Sequence, residues 1–148
     1  MTDSDKPRLV GTNHIALEVG DIEAALSFYG AIFDFTLRGR APGHAFIDMG
    51  DQFIALVEHD GSPPDAERHF GLVVDDRSKV AALAEAAGAE MIDGGFLDFR
   101  DPWGNRVQIV EYRDLQFTKT EAVLNGMGLG DLDKTEAAKK QLADKGML

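Results

Sequence analysis

The chain contains no cysteine. Disulfide staples, thiolate metal sites and thiol nucleophiles are therefore excluded together. Basic residues are also scarce, with 15 Lys and Arg against 26 Asp and Glu, a net charge of −11. Nucleic acids and anionic membrane surfaces are recognised through Lys and Arg, so this balance argues against both as partners. Long apolar runs are missing too. The longest, Phe53 to Val57, falls far short of the roughly 20 residues a spanning helix needs. The opening stretch Met1 to Lys6 mixes charges and leads into no apolar core, so it does not read as a secretory signal, and the expected compartment is the cytoplasm. What remains is 148 residues, 44% hydrophobic with five prolines, the composition of one globular domain.

That domain repeats itself. His14-Ile15-Ala16-Leu17-Glu18-Val19-Gly20-Asp21 matches His69-Phe70-Gly71-Leu72-Val73-Val74-Asp75-Asp76, both reading H-x-x-L-x-V-x-D. An alanine-rich segment at helical spacing follows each, Ile22 to Phe33 and Ser78 to Ala87, with Asp21 and Asp76 placed to cap them and Gly88 to stop the second. Phe46–Met49 and Phe53–Glu58 then parallel Phe96–Phe99 and Arg106–Glu111, with the insert Asp101-Pro102-Trp103-Gly104-Asn105 in the second copy. The order predicts two β-α-β-β-β units, about 10–60 and 66–114, joined by a polar linker at 60–65. The second strand of each unit is expected near 35–40 and 90–92.

Strand parity sorts the side chains. Ile15, Leu17 and Val19, with Phe70, Leu72 and Val74, form apolar faces suited to the helices. His14 and His69 fall at equivalent positions on the opposite faces. Ile54, Leu56, Val107 and Ile109 go to the helix side, which leaves Ala55 and Gln108 on the histidine side. Glu58 and Glu111 carry helix-side parity unless a bulge shifts the strand. His44 shares a face with Phe46 and Asp48 as a cavity-lining acid or base. His59 falls about 13 Å beyond Ala55, at the rim.

These segments resemble the vicinal oxygen chelate superfamily, which includes glyoxalases, bleomycin-resistance proteins and extradiol dioxygenases. The resemblance rests on Asn13–Val19, Arg68–Asp75 and above all Asp101-Pro102-Trp103-Gly104-Asn105-Arg106-Val107-Gln108-Ile109-Val110-Glu111, similar to that group's D-P-x-G-x-x-x-E-L signature. It implies an α+β fold of two paired βαβββ modules forming an open, cup-shaped, eight-stranded mixed sheet with helices on the outer face. It also implies a homodimer, with residues 115–148 near the interface, and a divalent metal (Fe, Mn, Zn or Ni) acting on a small substrate with vicinal oxygens.

Carried over by position, the ligand slots are His14, Ala55, His69 and Gln108. Ala55 cannot bind a metal, which speaks against a four-ligand glyoxalase I site. His14 and His69 fit the two-histidine, one-glutamate pattern, with the neutral Gln108 standing where the carboxylate would be. Glu111 is the alternative ligand if a bulge intervenes. A second reading stays open: a metal-free cup that binds an aromatic or cationic small molecule, as in the bleomycin-resistance branch. Outside the match, Gly126–Gly130 reads as a flexible connector, and 131–145 as a short helix with Asp131 as its cap.

Overall fold

The computed structural model describes Lys6 and residues 10–148. The first module runs β1 (His14–Val19), α1 (Ile22–Ile32), β2 (Leu37–Ala41), β3 (His44–Asp48) and β4 (Phe53–Glu58). The second runs β5 (Phe70–Val74), α2 (Val80–Ala86) after a 3-10 turn, β6 (Glu90–Ile92), β7 (Leu97–Arg100) and β8 (Arg106–Glu111). The fold is α+β, with two paired βαβββ modules as the repeat predicts.

Among the described residues the eight strands make two four-stranded mixed sheets, ordered β1-β4-β3-β2 and β5-β8-β7-β6. In each sheet the first and last strands of the module run parallel and the remaining pairs run antiparallel. The sheets are not joined into one, so β1 and β5 remain edge strands.

The helical segment that follows the first strand of each module, α1 in the first and the 3-10 turn leading into α2 in the second, is fastened the same way. Asp21 accepts the amide of Ala24 at the start of α1, and Asp76 accepts that of Ser78. The repeat-equivalent glutamates do the rest: Glu58 Oε2 accepts the amide of Ile22 (3.3 Å), and Glu111 Oε1 accepts that of Arg77 (3.0 Å). A carboxylate at a helix start meets free N–H groups and the positive end of the helix dipole. Gly88, at φ +94°, ends the second helical segment in the left-handed region.

The helix-bearing sides of the two sheets pack into a single core. Leu17, Val19, Ile54 and Leu56 from the first sheet join Leu72, Val107 and Ile109 from the second, all buried as parity requires. Phe28 of α1 meets the edge of Phe99 on β7, with 6.2 Å between ring centroids. The Tyr29 hydroxyl donates to Asp101 Oδ2 at 2.6 Å. Desolvation, and then the Asp101 carboxylate, hold that phenol well above the ordinary tyrosine range, so it remains a donor. Asp101 Oδ1 accepts the amides of Trp103 and Asn105, while Oδ2 also accepts Asn105 Nδ2. The Asp-Pro-Trp-Gly-Asn insert is thus a knot between the modules. Its Gly104 has φ +89°, and a Cβ there would lie 2.5 Å from the Pro64 Cα.

The C-terminal part departs from expectation. The segment read as a glycine-rich connector begins inside a helix, α3 (Glu121–Gly126), capped by Thr120. Six residues are too few for a periodic signal. The last helix, α4 (Glu136–Asp144), takes Thr135 as its cap rather than Asp131, because the Thr135 side chain accepts the amide of Ala138. The extension folds back on its own chain, where Leu124, Ala138 and Leu142 are buried. Lys134 Nζ donates to the carbonyls of Tyr112, Leu115 and Phe117. No helix among the described residues is long and apolar enough to cross a membrane.

Candidate functional site

Because the helix-bearing sides face inward, the opposite faces of both sheets are open. His14 begins β1, exposed, with its ring stacked on Phe53 (4.7 Å between centroids, 10° between planes). Its Nδ1 donates to Asn13 Oδ1 at 2.9 Å. Ala16 pairs in register with Ala55, so Ala55 shares this face and adds only a methyl group. Phe46 meets Phe53 edge-on at 5.9 Å, and the Arg38 guanidinium lies 4.5 Å from the centroid of Phe53. The open face of the first sheet is therefore an aromatic platform beside an imidazole.

His69 sits just before β5, also exposed, with Nδ1 donating to the Glu67 carbonyl at 2.8 Å. Gln108 of β8 pairs with Gly71, two residues beyond His69, and shares its face. The fold thus brings His69, immediately before β5, and Gln108, on the adjoining β8, to one sheet and places His14 on the other. The pairing of β8 with β5 is continuous from Val107 to Glu111, so no bulge brings Glu111 round to the histidine face. Its carboxylate stays on the helix side, on the Arg77 amide.

His44 on β3 donates from Nδ1 to the Pro42 carbonyl (3.0 Å) and lies 6.3 Å from Phe46. His59 lies past β4, where Nδ1 donates to Ser62 Oγ (3.1 Å) and Ser62 in turn donates to Glu18 (2.9 Å). This trio lines a separate cleft of about 730 Å³ bounded by Arg100 and Trp103.

The face of the second sheet carries a carboxylate the sequence reading passed over. Asp98 on β7 lies opposite Gln108 and is 5% exposed. Its Oδ2 accepts from Arg106 Nε (2.9 Å) and Nη2 (2.8 Å). Strand parity within Leu97-Asp98-Phe99 already put it on the histidine side.

The donors suit a divalent cation in kind. Both imidazoles have Nδ1 engaged as donor and Nε2 free, the arrangement by which ligand histidines are oriented. Gln108 adds a neutral amide oxygen. Within one chain, among the described residues, no group of three or more His, Cys, Asp or Glu stands together in a way that could hold a cation.

Residues 11–109 match the model of the Glyoxalase/Bleomycin resistance protein/Dioxygenase superfamily. The chain belongs to this superfamily. It is 33% identical over 72 residues to a trivalent organoarsenical cleaving enzyme from Thermomonospora curvata, covering 47% of this chain and 48% of that one. The chain thus matches about half the length of that curated relative. Similar solved structures include the fosfomycin resistance protein FosX from Mesorhizobium loti, with TM-score 0.60, 17% identity and coverage of 69% and 91% of the two chains. A variant of the Listeria monocytogenes FosX, solved with Mn(II) and 1S,2S-dihydroxypropylphosphonic acid, gives TM-score 0.61 at 18% identity, covering 81% and 99%. At these identities the structures establish the shared fold.

Proposed function

We propose that the protein is a metal-dependent enzyme of its superfamily in which His14, His69 and Gln108 hold a divalent cation for a small substrate with vicinal oxygens. The supporting observation is the matching hydrogen bonding of the two repeat-equivalent histidines, each exposed on an open face with Nδ1 held and Nε2 free. A bound divalent ion supplies Lewis acidity toward neighbouring oxygens. The chain's own contribution is to fix the tautomers through Asn13 and Glu67, to offer an amide oxygen at Gln108 and to present the Phe46–Phe53 platform to the apolar part of a substrate. Without cysteine, thiolate capture of trivalent arsenic is not part of this site.

The open faces, together with the edge strands β1 and β5, support a site shared between two copies. The His14 face of one protomer would meet the His69 and Gln108 face of its partner and close a cup that neither chain forms alone. The test is complementation. His14→Ala and His69→Ala proteins should each bind no stoichiometric Mn(II) by calorimetry, and a mixed and re-equilibrated sample should recover binding. No recovery, together with a sedimentation mass near 16.1 kDa, overturns the shared cup. Unchanged Mn(II) binding in both single variants overturns the metal site.

The aromatic platform and the charge of −11 favour a second reading, a metal-free cup for a cationic or aromatic ligand. Metal-free protein that binds such a ligand equally well after His69→Ala would select it.

A further inference from the structure

Among the described residues one buried side-chain oxygen lacks a hydrogen-bond partner, Asp98 Oδ1. An unpaired buried carboxylate oxygen is costly, and native structures rarely leave one without a donor. Its neighbours narrow the choice. Arg106 is committed to Oδ2 and to the Ala66 carbonyl. Directly opposite in register stands Gln108, on the same face, and opposed side chains of this kind lie about 4.5–5.5 Å apart at Cβ. Strand order then gives a direction. β8 runs between β5 and β7, so Gln108 has the His69 strand on one flank and Asp98 on the other.

We infer that Asp98 is a positioning residue for Gln108. Asp98 Oδ1 has no donor in this structure, and a change of rotamer at Gln108, directly opposite, lets it accept an N–H of that amide, which turns the amide oxygen toward the His69 flank and the open face. Arg106, two residues before Gln108 on the same strand, holds Asp98 through Oδ2 and leaves Oδ1 without a donor. This accounts for glutamine at a slot where the superfamily signature carries glutamate. A glutamine donates to Asp98 with one end and accepts with the other, which a carboxylate cannot do. A glutamate at 108 would set two like charges directly across a strand pair. The inference rests on the metal reading for its use and on the geometry of metal-free protein for its existence, so the two are tested separately.

The first measurement is proton exchange at the Gln108 side-chain amide, followed by ¹⁵N NMR in metal-free protein. Exchange is expected to be slow in wild type and fast in Asp98→Leu. The second is Mn(II) affinity by calorimetry. Asp98→Leu should weaken it about tenfold, the loss typical of removing an orienting partner, while Asp98→Asn, whose single acceptor oxygen cannot serve both Arg106 and Gln108, should fall between Asp98→Leu and wild type. Gln108→Glu alone should gain little, and the double variant Asp98→Asn/Gln108→Glu should bind more tightly than Gln108→Glu. That last comparison carries the test if Asp98→Leu does not fold. Equal exchange and equal affinity in wild type and Asp98→Leu overturn the positioning role. If His69→Ala loses Mn(II) and Asp98→Leu does not, the metal reading stands and this inference falls. If neither loses Mn(II), the metal reading falls and amide exchange alone decides.

Discussion

Replacing Tyr29 with Phe removes one oxygen from the centre of the molecule and nothing else. The ring is 1% exposed and Asp101 is 4% exposed, so water cannot replace the lost donor. A hydrogen bond to a charged acceptor contributes about 1.5–3 kcal/mol. Asp101 Oδ2 keeps Asn105 Nδ2 as a second donor, which places the expected loss near the lower end, about 1.5–2 kcal/mol. For a chain of this length that corresponds to a melting point lower by roughly 3–8 °C. Urea unfolding should show the same loss with an unchanged m-value, because no surface is newly exposed. Asp101→Asn should cost more. It takes a carboxylate from four hydrogen bonds and turns either an amide N–H₂ toward the Tyr29 and Asn105 donors or one toward the Trp103 and Asn105 amides. The double variant should lose less than the sum of the two, since both act on one contact. A Tyr29→Phe protein within about 0.3 kcal/mol of wild type would refute the reasoning and make the contact between modules purely apolar.

Gly104→Ala should destabilise by well over 1 kcal/mol, from left-handed strain of about 1–2 kcal/mol plus a collision with the Pro64 backbone, readable as a lower urea midpoint. Acid should weaken the fastening of the C-terminal extension. Lys119 hydrogen-bonds Asp51 and holds its carboxyl below the ordinary range, so this contribution is present above roughly pH 4 and fades as pH falls through the lowered value. Asp51→Asn should flatten the acid limb of a stability profile without changing its neutral plateau by more than about 1 kcal/mol, since the pair is surface-exposed on the Asp51 side.

Much of the architecture was legible because the chain states it twice. A period-2 strand and a period-3.6 helix recurring in the same order left little freedom, and Glu58 and Glu111 fell on the helix side as parity required. The way the modules meet was not legible. Nothing in the strand pattern distinguishes one eight-stranded sheet from two sheets packed through their helices, because both bury the same alternate residues. Asp98 was missed for a related reason. A single acid in a short strand reads as a solvent-facing residue until the neighbouring strand and the Arg106 guanidinium are known to cover it. The extension was obscure because α3 is short and thinly apolar, and Lys134 makes its main contacts to backbone carbonyls that a sequence does not place.

The last strand of each module has one further consequence. Along β8, Gln108 looks out from the sheet, while three residues later Glu111 reaches the other way and grips the first helical turn; Ala55 and Glu58 divide β4 in the same manner. The open face and the helix contact are thus written on alternate letters of one strand. A residue on the outward letters can be exchanged for alanine, glutamine or a carboxylate while the inward letters go on closing the unit. Ala55 shows the freedom this gives: the outward position carries only a methyl group, and its module still closes with Glu58 on the amide of Ile22. The same scaffold can therefore be given new chemistry at its open faces without first being taught to fold again.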